Sequence, residues 1–391
     1  MKTRISDLIQ VGSIVRAAYL MRTGRKPGLD EVTPEQFRKR IKITDLASQL
    51  MNQLETGTYR TQPLLRSYIP KTNGDLREIS IPIVQDGVIQ KALVNGLTPI
   101  TESRFLENSF GFRPKRNVIC AVREASRLIR EGYKVCYSLD LETFFPNINR
   151  ELLRRYLREH YGLAEDTRKL INSFITAKVI GHKAKSTKGI PAGIPLAPLL
   201  ANIYLHPLDQ ELQELGVPFI RYADDITLFF RSKEECIYQT RFWDDCEQRF
   251  GIVVNRQKTN IYAEGPRPVL GFNIDEYGGI TVSRAVIDKI ERSLIGLLAK
   301  SHLSLSKKVM QIRQRLSFYM HYYKEIQNFD EFKGELERIQ DKLIGEISCR
   351  HSKMEIAQKL ELEIDRIDEY EFIDEIDFLK EETKPKIFDS L

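Results

Sequence analysis

No stretch of this chain approaches the roughly 18 consecutive apolar residues that a membrane span requires. The N-terminal stretch "MKTRISDLIQVGSIVRAAYLMR" carries charges inside its apolar segments, so it has no uninterrupted signal-peptide core. The five cysteines (Cys120, Cys136, Cys236, Cys246, Cys349) are scattered, with no C-x-x-C pair, which argues against a structural zinc site or a disulfide framework. Repeats, low-complexity linkers and Pro/Gly-rich hinges are absent as well. These absences argue against a membrane span and a signal peptide, and they predict a reduced, cytoplasmic protein without structural zinc.

What is present is a 391-residue chain, 42% hydrophobic and 29% charged, long enough for two or three packed subdomains. Its net charge of +6 is uneven. Residues 355–391 hold 13 Asp/Glu against 5 Lys/Arg, and the other 354 residues hold 55 Lys/Arg against 41 Asp/Glu. A body at +14 beside a segment at −8 suits a polyanionic partner such as nucleic acid, and equally a basic protein with solvated lysines.

Helical and strand-like patterns mix without βαβ alternation, which predicts an α+β fold with a helical C-terminal region. Thr33-Pro34 reads as an N-cap and first helical position. Asn73-Gly74 reads as a hairpin turn between strand-like runs. Val118, Ala121, Val122, Ala125, Leu128 and Ile129 mark one face of a helix that begins near Asn117 and stops at Gly132. "SKEECIYQTRFWDDCEQRFG" reads as one helix, and "IVVNRQKTNIY" and "VLGFNID" read as short strands.

Chemistry concentrates in "VPFIRYADDITLFFR" (217–231), where Asp224 and Asp225 stand side by side between apolar runs. Hard divalent cations take carboxylate oxygens, and two such ions can serve an in-line displacement. Asp140, closing the strand-like "KVCYSLD", could converge on the pair. An exposed Asx turn is the plain alternative, and Asp244-Asp245 is a second pair that reads as an exposed helix face.

Several motifs then occur in order over residues 60–275: "YIPKTNGDLREISIP" with "QDGVIQKAL", "SFGFRPKRN", "SLDLETFFPNI", "GIPAGIPLAPLLANIYLHPLD", "RYADD", "VNRQKT" and "LGF". In this order the chain resembles the bacterial reverse transcriptases, most nearly the group II intron-like branch. The resemblance implies a right-hand polymerase with fingers, an antiparallel-sheet-and-helix palm and a helical thumb. It implies residues 1–60 as an N-terminal helical extension, 61–135 (with part of 150–190) as fingers, 136–283 as palm, 284–345 as thumb and 346–391 as an acidic helical segment or tail.

By the same resemblance Asp140, Asp224 and Asp225 hold two Mg2+ ions, for which Mn2+ can substitute. Lys71 and Arg77 meet the incoming triphosphate. Phe145 is the gate against a ribose 2′-OH. Lys258 protonates the leaving pyrophosphate. Ala192 and Gly193 position nucleotide and template. Tyr222 and Gly271 support the primer end, and Arg113 and Arg116 meet nucleic acid; Arg313 and Arg315, mixed with aromatic rings in "IRQRLSFYMHYYKEI", read as a nucleic-acid groove or as an ordinary amphipathic helix. The implied partners are an RNA template (a dedicated non-coding RNA being one form), a DNA primer or product strand and dNTPs, with oligomer contacts through the C-terminal region and no membrane.

Bland readings stand beside these roles: Phe145 as core packing, Arg77 and Lys71 as solvated hairpin charges, Lys258 as a surface lysine. The family's usual Pro-Gln-Gly is Pro191-Ala192-Gly193 here, which bears on fidelity, processivity and strict template dependence. No nuclease domain, long maturase tail or Val-Thr-Gly thumb motif is found. The expected activity is RNA-directed DNA synthesis, in antiphage defence with an associated RNA. An intron maturase or RNA-binding protein, and a polymerase of restricted or template-independent output, stay open as alternatives.

Overall fold

The computed structural model describes residues 2–40, 42–70, 76–181, 188–239, 243–299 and 303–349. The chain forms two compact units, Met1–Glu124 with Gly132–Ala263, and Ala125–Glu131 with Glu264–Leu391.

The first unit opens with α1 (Ile5–Leu8), α2 (Val11–Tyr19), α3 (Pro34–Arg40) and α4 (Ile43–Glu55). The expected cap at Thr33 is a reciprocal one: Gln36 N–H donates to Thr33 Oγ1 (3.2 Å), and Thr33 N–H donates to Gln36 Oε1 (2.9 Å). β1 (Leu64–Pro70) and β2 (Leu76–Ile81) pair antiparallel. The Asn73-Gly74 turn and Lys71 lie outside the described residues. α5 (Val84–Glu102) follows, and its fully buried Asp86 accepts the Gln62 N–H at 2.9 Å and the Tyr59 hydroxyl, tying the approach to β1 onto this helix.

α6 (Val118–Arg130) buries all six apolar positions expected on one face, and the Asn117 side chain caps it by accepting the Cys120 N–H at 3.0 Å. The helix begins in the first unit and its last turns belong to the second.

β3 (Val135–Leu139), α7 (Phe144–Asn147), α8 (Arg150–Glu159), α9 (Glu165–Ile175) and β4 (Val179–Ile180) come next. β4 adds parallel to β1, giving the order β2-β1-β4. α10 (Ala197–Glu214) is apolar on nearly every side and buried on nearly every side, as a central helix must be. β5 (Phe219–Tyr222), β6 (Asp225–Phe230), α11 (Lys233–Gln239), α12 (Trp243–Phe250) and β7 (Asn260–Tyr262) complete the unit.

The main sheet runs β5-β6-β3-β7, all antiparallel. β5 and β6 are buried along almost their whole length, so these two strands are covered on both faces, while the edge strand β7 is largely exposed. The expected strand over 252–262 shortens to β7. Asn255 explains why: its carbonyl accepts the Lys258 and Thr259 N–H groups (3.1 and 3.0 Å), closing a turn in place of a ladder. The single helix expected from 232 onward contains two described helical stretches, α11 and α12.

The second unit holds the antiparallel sheet β10-β9-β8, formed by β8 (Arg267–Val269), β9 (Phe272–Ile274) and β10 (Ile280–Val282), and the helices α13 (Arg284–Leu298), α14 (Leu305–Tyr322) and α15 (Phe329–Cys349). Its core sets Phe272 against Tyr323 and Tyr323 against Phe332. The residues of the acidic segment, 355–389, lie outside the described residues. No helix among the described residues is long and apolar enough to cross a membrane.

Candidate active site

Tyr222 pairs with Asp225 across a two-residue connection, Ala223-Asp224, so the aspartate pair does sit at a hairpin tip. Ala223 has φ +59, a backbone setting where such turns prefer glycine. Continuing the register from the Leu139–Ile226 pair sets Asp140 opposite Asp225. The Asp140 carbonyl accepts the Asn255 N–H at 2.8 Å, and an antiparallel bridge joins Leu141 to Val254.

The three carboxylates feel one another. Burial, then Asp224 and Asp140, push Asp225 up to about 7. Burial also raises Asp224; Arg77 pulls it down and Asp140 pushes it further up. Arg77, carried on β2, thereby brings its charge to the aspartate turn.

As placed, no group of three His, Cys, Asp or Glu side chains among the described residues is close enough to hold a metal ion. The donor set nevertheless fits a hard divalent cation in its chemistry. All three donors are carboxylates, on or beside adjacent strands, and their mutual repulsion is what a bound cation relieves.

Phe145, on α7, is partly buried and packs edge-on against Phe144 with ring centroids 5.6 Å apart. Its backbone is seated by the 189–193 loop. Ile190 N–H donates to the Phe145 carbonyl (2.9 Å), Gly189 N–H to the Ile148 carbonyl (2.7 Å), and Arg150 Nε to the Gly189 carbonyl (2.6 Å). Gly189 has φ +79, and a Cβ there would stand 2.4 Å from the Pro146 carbonyl oxygen, so only glycine fits. At the other end of the loop, the Ser80 N–H of β2 donates to the Ala192 carbonyl at 2.7 Å, and Gly193 takes φ +98. The loop therefore joins β2 to the Phe145 seat through backbone atoms, whatever side chain stands at 192.

Other expected residues fall elsewhere. Arg113 is only 7% exposed. Its guanidinium donates to Glu102 (3.1 Å), Leu106 O (2.6 Å) and Ser109 O (2.7 Å), so it holds its own loop together and is not presented to nucleic acid, a correction to the expected role. Arg116 bonds the Glu107 carbonyl (2.7 Å) and carboxylate and lies over the Phe110 ring. Lys258 is exposed on the turn pinned beside Asp140. Tyr222 is buried. Gly271 (φ +82), exposed Arg313, and half-buried Arg315, which reaches Ser293 Oγ at 3.3 Å, belong to the second unit.

One feature escaped the motif reading. Arg221, immediately before the tyrosine, is wholly buried and paired with equally buried Asp209 of α10 through Nε–Oδ1 (2.7 Å) and Nη2–Oδ2 (2.6 Å). Burial pushes the Asp209 carboxyl up and Arg221 pulls it back; the two-point pairing favours the carboxylate. A charged residue inside "PFIRYA" and another inside "IYLHPLDQ" were the signal: two charges in apolar surroundings need each other.

The reverse transcriptase (RNA-dependent DNA polymerase) family description matches residues 69–274, over half of the chain. The chain belongs to that family. Protein YkfC of Escherichia coli K12 is 32% identical over 200 residues, 48% of this chain and 50% of that one. The group II intron-encoded protein LtrA of Lactococcus lactis is 34% identical over 180 residues, 45% of this chain and 30% of that one. The retron Ec86 reverse transcriptase of E. coli is 27% identical over 196 residues, 48% of this chain and 56% of that one. The chain thus spans about half or less of the length of the first two relatives. These relatives agree with the group II intron-like branch that the motifs indicate. A telomerase of Candida albicans, solved with a fragment of telomeric RNA, overlays with TM-score 0.44 at 12% identity, covering 81% of this chain and 70% of that one; the likeness is too distant to carry an argument.

Proposed function

We propose that this chain is an RNA-directed DNA polymerase that extends a 3′-hydroxyl with dNTPs by two-metal nucleotidyl transfer. The observation that carries the reading is the set Asp140, Asp224 and Asp225 on or beside adjoining strands, with the Asp224 and Asp225 carboxyls raised by burial and by neighbouring carboxylates, inside a chain of the reverse transcriptase family. Magnesium held by these carboxylates would activate the attacking hydroxyl and neutralise charge on the leaving pyrophosphate.

The remaining roles belong to the protein's own side chains. Arg77, whose charge reaches Asp224, meets the triphosphate. Phe145, seated rigidly by the 189–193 loop, excludes a ribose 2′-OH. Lys258, on the turn pinned to the Asp140 backbone, donates a proton to pyrophosphate. Rigid seating is what the chemistry needs, since phosphoryl transfer draws mainly on position and electrostatics. The fingers, palm and thumb divisions and the roles of Lys71, Gly271, Arg313 and Arg315 remain part of this proposal on the strength of the motif order. An antiphage role with a dedicated non-coding RNA as template is the biological setting we propose, on family analogy, and sequencing the nucleic acid that co-purifies with the protein tests it.

Asp224→Asn should abolish primer extension on an RNA template while nucleic-acid affinity stays near wild type. Wild-type incorporation by that variant under magnesium would remove the site assignment. Uptake of single dNTPs with no template added would favour the template-independent alternative, and nucleic-acid binding with no synthesis by wild type would favour the maturase one.

A further inference from the structure

Arg221 makes more contacts than an ion pair needs. Besides Asp209, its Nη2 donates to Ser109 Oγ (2.7 Å), and its Nη1 donates to Asn202 Oδ1 (2.8 Å) and, two residues ahead, to the Ala223 carbonyl (3.0 Å). That last acceptor is the peptide that leads into Asp224. Ala223 holds a left-handed φ that a non-glycine residue keeps only when its surroundings over-determine it.

The same network grips the turn from its other side. Asn202 Nδ2 donates to the Gly111 carbonyl at 2.7 Å. Gly111 lies so close to the turn that a Cβ on it would stand 2.3 Å from Ala223 N. Phe110 N–H donates to the Arg221 carbonyl, and Arg221 N–H to the Asn108 carbonyl, both at 2.8 Å, so residues 108–111 line the edge of β5.

We infer that Arg221 is a positioning residue: anchored on α10 through Asp209 and Asn202, it holds the Ala223 carbonyl and so fixes the direction in which Asp224 leaves the strand. It touches no reacting atom, since it lies on the opposite face of β5 from Tyr222 and Asp225 and is fully enclosed. The metal-affinity part of the inference rests on the polymerase reading; the positioning part does not.

Arg221→Lys tests it, because lysine keeps the charge opposite Asp209 but has one nitrogen where arginine has a planar fork. The purified full chain carrying this variant should melt cooperatively and exchange its amide hydrogens faster than wild type over residues 222–226. Mn2+ titration followed by electron paramagnetic resonance should show affinity lower by about tenfold, the usual effect of losing an outer-shell support. Half-maximal extension should need correspondingly more metal, at unchanged primer–template affinity. A folded variant with wild-type exchange over that segment and wild-type Mn2+ affinity overturns the inference.

Should Arg221→Lys fail to fold, Gly111→Ala leaves the ion pair intact and displaces the turn by its Cβ; lower Mn2+ affinity is expected, and wild-type affinity overturns the inference. If the wild-type chain itself neither binds Mn2+ nor extends a primer, the polymerase reading fails, and the exchange comparison alone still decides whether Arg221 positions the turn.

Discussion

Burial holds the His206 imidazole neutral. It is 4% exposed on α10, edge-on to Phe105, and its pKa falls from 6.5 to about 4 through burial first and then the charges of Arg221, His160, Arg104 and Arg113. Because the folded state resists the proton that the unfolded chain accepts, the stabilising contribution is whole above about pH 6.5. It is lost as pH falls through the window down to about 4, amounting to roughly 3 kcal/mol at the bottom. Denaturant melts at pH 7.5 and 4.5 should show this: His206→Asn should lose less stability between the two pH values than wild type does. Equal losses would place the acid sensitivity elsewhere. Nothing in "NIYLHPLDQ" announces this histidine's state, since depressed pKa values arise from neighbours supplied by other segments.

At the scale of elements, the 189–193 loop is the joint between β2 and the Phe145 seat, and its contacts run through backbone atoms. The unusual Ala192 therefore leaves the joint intact, whereas Gly189 cannot change without cost. Gly189→Ala combines a left-handed φ with a Cβ driven at the Pro146 carbonyl. It should destabilise the chain by about 1–3 kcal/mol and admit more ribonucleotide, read from denaturant melts and from paired dNTP and rNTP single-addition assays. Unchanged sugar discrimination would detach the loop from the gate. The Thr33 cap and the apolar face of α6 were legible because both depend on residues three or four apart. The turn at Asn255 was not: "IVVNRQKTNIY" has a strand's composition, yet the Asn255 carbonyl closes a local turn with the Lys258 and Thr259 N–H groups, and the bond from Asn255 N–H to the Asp140 carbonyl, across more than a hundred residues, pins that turn in place.

For the whole molecule, charge distribution is the controlling property. If the chain binds nucleic acid as proposed, a net +6 that separates into +14 over residues 1–354 and −8 over 355–391 should make its affinity depend on salt and on the acidic segment. Primer–template affinity should fall by about tenfold or more between 50 and 200 mM salt, and removing residues 355–391 should tighten binding most at the lower concentration. Fluorescence anisotropy at both salts checks this, and a truncated chain that binds no tighter would deny the segment any electrostatic part.

From its residues alone this chain determined its family and its α+β class, and it pointed to Asp140, Asp224 and Asp225 as the proposed site, because the family's motifs are short, local and ordered along the chain. Tertiary structure decided what no local pattern carries. Arg113 turned inward to hold its own loop, since the Glu102 carboxylate and two carbonyls surround it. Arg221 and Asp209 became a buried pair although the motif reading gave neither a role. The physical reason is the same in both cases: a charge's function depends on which partners the fold brings within hydrogen-bonding reach, and burial makes those partners obligatory.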